Sequence, residues 1–292
     1  MNDTSSFFIQ NKALFGSYPT QSIVDDFEKK GVVYFVDLTT DHEKHKLVRY
    51  RVNNGYYINF PIRDNYIPID LFGFSKFICK ITHIIKNLKD NQFIYIHCKG
   101  GHGRAGIVVS CLLCFINKIT SYEALNQTNV FHSKRPVMKD KWRSIGSPQT
   151  DKQKEFVIRL FKPIYLNNVC NKNTYFPLNN NSKHTLIYKG LTYKNLNECL
   201  YSTLYPEEKE EIEKCKNFHE LRKIIKNKES VILDDDIVTY LFKFKITHYD
   251  DVRSILKKTL IRPILYKENN YDLGYYLNEI RFRLFLSDNF ML

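Results

Sequence analysis

No stretch of this 292-residue chain approaches the roughly 18 consecutive apolar residues that a membrane helix needs, although 43% of its residues are hydrophobic. That argues against a spanning segment. The start, MNDTSSFFIQNKALFGSYP, lacks the basic opening and long apolar core of a secretory signal. The last residues, DNFML, carry no cysteine for prenylation. The seven cysteines are an odd number without framework spacing, which argues against a disulfide scaffold and for a reducing, cytoplasmic setting. No internal repeat or heptad array is apparent. Acidic residues are also short: 31 Asp and Glu face 44 Lys and Arg, a formal net charge of +13. Such a balance favours anionic partners such as phosphorylated substrates, lipid surfaces, nucleic acid or acidic proteins, without choosing among them.

The chain is rich in Asn, Lys, Ile, Tyr and Phe, as suits an AT-rich coding genome. SIVDDFEKK followed by Gly31 reads as a helix with a glycine stop. VVYFVDL, YYINFPI (56–62) and FIYIHC (93–98) read as buried strands, and IDLFGFSKFICKITHIIKNLK between the last two has helical spacing. Further helices are expected over about 103–116, 121–131 and 150–161, the last opened by a Thr150/Gln153 capping box and closed at Pro163. Strands alternating with helices predict an α/β fold with a mainly parallel sheet flanked by helices.

Residues 167–181 hold seven Asn, a composition too polar to bury, so the domain boundary is expected there. The expected organisation is a first domain over 1–165, an Asn-rich linker over 166–184 and a mostly α accessory domain over 185–292. Residues 1–170 hold 24 Lys and Arg against 14 Asp and Glu, the remainder 20 against 17. The anion-binding signal therefore belongs mainly to the first half.

Within that half, YIHCKGGHGRAGIVV (95–109) places Cys98 at the end of a buried strand, before a glycine-rich turn and a helix. A helix N-terminus presents unpaired N–H groups and the positive end of its dipole. The glycines let the N–H groups of Lys99, Gly100, Gly101, His102 and Gly103 turn inward as an anion nest. Arg104 can close that nest as a two-pronged fork on phosphate oxygens. The same field favours a thiolate, so Cys98 reads as a nucleophile toward a phosphate monoester, forming a phosphocysteine without a metal. The leaving oxygen needs a proton donor, and FPIRDNYIP offers Asp64 between Pro61 and Pro68. Hydrolysis of the intermediate needs a placed water, for which SPQTDKQKEF offers Gln149 and Gln153.

Taken together, these motifs resemble the cysteine-based protein tyrosine and dual-specificity phosphatase superfamily over about residues 7–162. His-Cys-five residues-Arg is met by His97, Cys98 and Arg104. The acid-loop pattern is met by Pro61, Asp64 and Pro68, and the glutamine-loop pattern by Gln149, Thr150 and Gln153. The resemblance implies a tyrosine phosphatase-like fold, a phosphocysteine mechanism and no cofactor, with His97 shaping the thiolate environment. It has one departure, Ala105 where Ser or Thr commonly helps the thiolate leave, which implies slow turnover with a burst. Lys99 and His102 could flank the pocket with positive charge. A phosphorylated protein, by phosphotyrosine first and phosphoserine or phosphothreonine second, is the leading substrate. A phosphoinositide is the alternative within the same chemistry, and a phosphate-binding module with little turnover the alternative outside it. Nucleic acid ranks lower because the loop lacks the Thr-His pair and Asn of RNA phosphatases.

Blander readings stand beside these. His97, Cys98 and His102 could be metal ligands, but a tight basic loop repels a cation, so no metal is expected. Cys111 and Cys114, one helical turn apart, suit core packing better than redox pairing. Gln149 could simply cap the next helix, and the run 132–143, HSKRPVMKDKWR, reads as a solvated loop more readily than as a substrate patch. Residues 185–288 faintly resemble the NADAR family of N-glycosidases. That family's catalytic Glu falls on Asn197, with Glu198 adjacent, Asp272 stands where an Asn is expected, and the only tryptophan is Trp142. The catalytic set is thus lost, and the second domain is expected to dock an unidentified partner.

Overall fold

The computed structural model describes residues 3–167, 172–216, 218–225, 234–268 and 271–287. The chain divides into two compact units, one reaching to Lys162 and the other Pro163–Leu286.

The first unit opens with a hairpin, β1 (Ser5–Ile9) and β2 (Ala13–Gly16). There follow α1 (Gln21–Lys29), β3 (Val32–Asp37), α2 (Asp41–Lys44), β4 (Tyr56–Asn59), α3 (Leu71–Asn87) and β5 (Phe93–His97). Four helices complete it: α4 (Arg104–Asn117), α5 (Ser121–Ser133), α6 (Asp140–Ile145) and α7 (Asp151–Leu160). The strands form one sheet in the order β1-β2-β5-β3-β4, parallel except for β1. This is the α/β fold expected from the alternation of strands and helices. The hairpin was not evident in the sequence, because two strands of five and four residues around a turn at Asn11 leave almost no periodicity to read.

Register places the site. His97, the last residue of central β5, pairs with Gly16 on one side and Asp37 on the other, so three strands end at one level. The chain leaving β5 emerges at the carboxyl edge of the sheet, where α/β folds bind ligands. Beneath lies a core of Phe15, Phe27, Phe35 and Tyr95, all fully buried. Helix α4 is apolar almost all round and buried from Arg104 to Cys114. Cys111 and Cys114 pack in that interior, and burial pushes the Cys111 thiol well up and the Cys114 thiol up to about 12.

In the second unit β6 (Ile164–Tyr165) pairs parallel with a distant strand, while β7 (Leu186–Tyr188) and β8 (Leu191–Tyr193) form a hairpin. Its two-residue turn, Lys189 and Gly190, has positive φ at both positions, the twist that suits paired strands. Helices α8 (Leu196–Leu204), α9 (Lys209–Lys214), α10 (Phe218–Ile225), α11 (Asp235–His248) and α12 (Asp250–Lys258) follow. Strand β9 (Ile264–Leu265) is the partner of β6, and β10 (Lys267–Glu268) with β11 (Tyr271–Asp272) leads into α13 (Leu273–Arg281). The described part of this unit is mostly α, around a core that includes Leu200, Leu241, Phe242, Leu256 and Leu277.

The Asn-rich segment departs from expectation. Residues 168–171 lie outside the described residues, but Asn179, Asn180 and Ser182 are buried within the second unit. Asn179 Nδ2 donates to the Leu166 carbonyl at 2.8 Å, and the Asn180 N–H donates to the Tyr266 hydroxyl at 3.2 Å. Lys245 Nζ donates to the Asn179 carbonyl and to Ser182 Oγ, each at 2.6 Å. The segment is interior structure rather than a solvated linker, because buried polar groups are tolerated once hydrogen-bonded. Among the described residues, no helix is long and apolar enough to cross a membrane.

Candidate active site

The loop from Cys98 to Arg104 joins β5 to α4. Cys98 is 3% exposed, and its Sγ accepts a hydrogen bond from the Gly101 N–H at 3.2 Å. Gly101 has φ +76°, and a Cβ there would lie 2.4 Å from the Gly16 carbonyl, so only glycine fits. A Cβ on Gly103 would meet the amides of Gln153 and Gln149 at 2.8 and 3.1 Å. The two glutamines therefore stand directly against the loop.

Arg104 opens α4 and is 1% exposed. Its Nη1 and Nη2 donate to the two carboxylate oxygens of Glu43 at 2.6 and 2.9 Å, and Nη1 also donates to the Ile62 carbonyl at 3.0 Å. Nη2 lies 2.8 Å from Asp64 Oδ1. Buried Nε finds no protein partner among the described residues. Burial alone would loosen the guanidinium's hold on its proton, but Glu43, Cys98 and Asp64 outweigh it and hold the charge more firmly than usual. Burial likewise opposes ionisation of Glu43, and hydrogen bonds from Arg104 and Thr40 reverse that, holding its carboxyl below the ordinary value.

Glu43 is the functional residue that sequence reasoning missed. Its pattern, Thr40-x-x-Glu43, is the signature of a helix start, and the Thr40 N–H and hydroxyl do donate to Glu43 Oε2. Nothing local signals that the carboxylate also holds an arginine 61 positions away.

Asp64 is half exposed, on a loop between Pro61 and Pro68 that is tied down from the far side. Gln149 Nε2 donates to Asn65 Oδ1 at 2.5 Å, and Gln153 Nε2 to the Tyr66 carbonyl at 3.2 Å. Gln153 Oε1 also accepts from the Thr150 N–H at 3.3 Å and closes the capping box of α7. Fully buried and bonded at both ends of its amide, Gln153 is a clasp between the acid loop and α7. Of the two glutamines expected to hold water, both turn an amide oxygen to the loop, but that of Gln153 is engaged by the Thr150 N–H.

His102 also differs from expectation. Its Nδ1 lies 2.7 Å from His132 Nε2, and its ring stacks on Trp142 at 4.7 Å. Burial first, then the nearby Arg135, pushes its pKa down to about 4. His102 therefore adds no positive charge near neutral pH, although its main chain remains part of the loop. Arg135 belongs to the run read as a solvated loop, yet it is 2% exposed and stacks over the Phe15 ring at 4.3 Å. Its Nη1 would lie 2.8 Å from a Cβ on Gly101, within reach of the field of Cys98. Lys99 is exposed. His97 is fully buried, with Nε2 2.6 Å from the Tyr50 hydroxyl and Nδ1 3.8 Å from Asp37 Oδ1. Asp37 in turn accepts from Thr39 and Tyr57. Among the described residues, no three His, Cys, Asp or Glu side chains gather to hold a metal ion.

At the carboxyl edge of this mainly parallel sheet, a thiol that accepts a loop N–H, a carboxylate-braced arginine and a facing aspartate are brought together. Residues 17–157 match the family described as PTP-SAK, Swiss Army Knife protein, DSP-PTPase phosphatase domain, so this segment is similar to dual-specificity and tyrosine phosphatases. The chain is 41% identical over 157 residues to "Putative tyrosine phosphatase 197R" of Invertebrate iridescent virus 6, covering 54% of this chain and 53% of that protein. It is 35% identical over 158 residues to the similarly named 067L of Invertebrate iridescent virus 3, covering 54% of this chain and 65% of the relative. The chain thus spans between about half and two thirds of these relatives. The solved structure of Tk-PTP in its active form aligns at 22% identity with a TM-score of 0.43, over 55% of this chain and 96% of the other.

In the second unit, Asn197 and Glu198 border a cavity of about 620 Å³. Asn197 is 1% exposed, and its Nδ2 donates to Asn181 Oδ1 at 2.7 Å. Glu198 is tied to the Lys194 main chain and lies 3.3 Å from Lys194 Nζ. Asp272 caps α13 by accepting from the Tyr275 N–H, a structural task.

Proposed function

We propose that the first unit hydrolyses phosphate monoesters on protein side chains, phosphotyrosine foremost, through a phosphocysteine. The observation that carries this is the Gly101 N–H on Cys98 Sγ beside the buried, carboxylate-braced Arg104. The thiolate attacks phosphorus in line, the bond to the leaving oxygen breaks, and Asp64 gives that oxygen its proton. Water oriented by Gln149 then loses a proton to Asp64 and attacks phosphorus. The P–S bond breaks, giving inorganic phosphate and the thiolate. The equatorial oxygens are held by loop N–H groups and by the Nε edge of Arg104. Phosphate also competes with Asp64 for Nη2, which frees the carboxyl for proton transfer.

A protein substrate is favoured over a phosphoinositide because His102 is neutral and turned toward Trp142. Within the 98–104 loop, the exposed side-chain cation that remains beside the phosphate site is then Lys99. The second unit is read as an accessory domain for an unidentified partner, supported by Asn197 in place of an acid and by the capping duty of Asp272.

The test is release of phosphate from a phosphotyrosyl peptide and from a phosphoinositide, compared by kcat/KM, with Cys98→Ser alongside. Peptide preference and loss of release in Cys98→Ser are expected. Retained release in Cys98→Ser overturns the mechanism, and lipid preference overturns the substrate. Capture of phosphopeptide by Cys98→Ser without turnover by the native chain would instead mark a binding module.

A further inference from the structure

A groove of about 540 Å³ lies on the segment between α2 and β4, lined among others by Tyr18, Asp41, Arg49, Tyr50, Arg51 and Tyr57. Its walls adjoin the reactive loop. The Tyr18 N–H donates to the Lys99 carbonyl at 3.0 Å, and the Tyr50 hydroxyl is 2.6 Å from His97 Nε2, so the groove grips the residues on both sides of Cys98. The walls are also firmly set. Tyr18 packs edge-on to Tyr50 at 5.3 Å, and the Tyr57 hydroxyl donates to buried Asp37 at 2.7 Å. Gln21 clamps the main chain of Arg51, accepting from its N–H at 2.8 Å and donating to its carbonyl at 3.0 Å.

Arg49 and Arg51 are exposed, and neither guanidinium pairs with a carboxylate among the described residues. Asp41 brings one negative charge to the lining, against two arginines and the neighbouring exposed Lys99. The catalytic cycle described above uses neither arginine. Two unspent guanidinium forks on a rigid aromatic wall, beside a site for one phosphate, form a receptor for a second anion.

We infer that this groove is a second anion subsite, which takes a carboxylate or phosphate borne by a residue flanking the phosphoresidue of a peptide substrate. The inference rests on the proposed phosphatase reading for its substrate, but its test separates the two. Phosphotyrosyl peptides with Gln, Glu, Lys or phosphothreonine in the flanking positions are compared by kcat/KM. Binding of the same peptides to Cys98→Ser is measured by fluorescence anisotropy, which needs no turnover.

The native chain is expected to prefer the Glu over the Gln flank about fivefold, through KM, as suits two screened charge contacts. A larger preference for phosphothreonine would assign the groove to a second phosphate, and equal preference to any anion. In Arg49→Gln/Arg51→Gln the ratio falls toward one, and in Arg49→Glu/Arg51→Glu it inverts toward the Lys flank. Such an inversion cannot come from simple loss of structure, since each ratio is taken within one variant. The subsite is overturned if native Glu and Gln peptides bind Cys98→Ser equally, or if the preference survives the double substitution. Failure to hydrolyse even p-nitrophenyl phosphate, which has no flank, would overturn the phosphatase reading and leave the binding ratios to decide the subsite.

Discussion

Arg104 in the first unit and Lys245 in the second are both 1% exposed, and they meet the cost of burial in opposite ways. Arg104 is wrapped by the carboxylates of Glu43 and Asp64, so its charge is held more firmly than in water. Among the described residues Lys245 donates to neutral oxygens, the Asn179 carbonyl and Ser182 Oγ, and burial pushes its pKa down to about 7 against an opposing pull from Asp251. A cation neutralised by opposite charges can hand one of them over to an arriving phosphate. A cation that gives up its proton instead serves to tie chain segments together. Burial of charge therefore does not mark a reactive site by itself; the kind of partner does.

Replacing Asp64 tests the reactive side of this contrast most severely. Asp64→Asn is expected to lower kcat on a phosphotyrosyl peptide by about 10²- to 10⁴-fold through loss of the proton donor. The loss should be smaller with p-nitrophenyl phosphate, whose leaving group needs little protonation. Equal losses on the two substrates would show that Asp64 acts only by holding Arg104.

Glu43 comes next. Glu43→Ala removes the bidentate partner of a buried arginine and should destabilise the first unit by about 3 kcal/mol, the lower end for breaking a buried pair because Asp64 remains. kcat/KM should fall by up to about 10²-fold as Arg104 loses its bearing. The carboxyl of Glu43 is depressed in the folded state. Its stabilising contribution is therefore present above the unfolded value near 4.5 and is lost only as pH falls through the lower folded value. In Glu43→Gln the acid-unfolding midpoint of the first unit should move upward, and an unmoved midpoint would show that Arg104 is braced by Asp64 alone.

On the Lys245 side the sign is that of a depressed base. Between about pH 7 and 10 the unfolded chain carries a proton on this amine that the folded chain does not, so stability of the second unit rises with pH over that window. Below pH 7 the burial penalty is fully present. Thermal unfolding of the full chain across this range should show the second unit's transition climbing, and Lys245→Met should flatten the climb. A slope unchanged in Lys245→Met would assign it to other groups.

The same contrast separates what is readable in the sequence from what is not. Cys98, the glycines and Arg104 form one contiguous loop, and Asp64 and Gln149 lie in short patterned segments, so local chemistry announces them. Glu43 reaches Arg104 from 61 positions away, and its visible pattern is spent on starting a helix. By its type His102 reads as a cation, but its charge is decided by burial among Trp142 and His132 and by Arg135, which only the fold assembles. The alternation of strands and helices revealed the sheet, while β1 and β2 are too short to show a period. The Asn-rich segment misled because composition reports a polar side chain and not its partners: Asn179 is interior because the Leu166 carbonyl and Lys245 meet it there.

Ala105 offers the finest adjustment of the reactive side. Fully buried in the first turn of α4, it follows an arginine already set by its carboxylates, so a change here leaves the cradle's charge alone. A hydroxyl at this position adds one donor for the departing thiolate, and one neutral hydrogen bond is worth about 0.5–1.5 kcal/mol. Ala105→Ser should therefore speed breakdown of the phosphocysteine about threefold or more. A native burst of product equal to the enzyme concentration should shrink in the variant while the steady-state rate rises. A native chain without a burst would place the slow step before the intermediate, and Ala105→Ser would then leave the rate where it was.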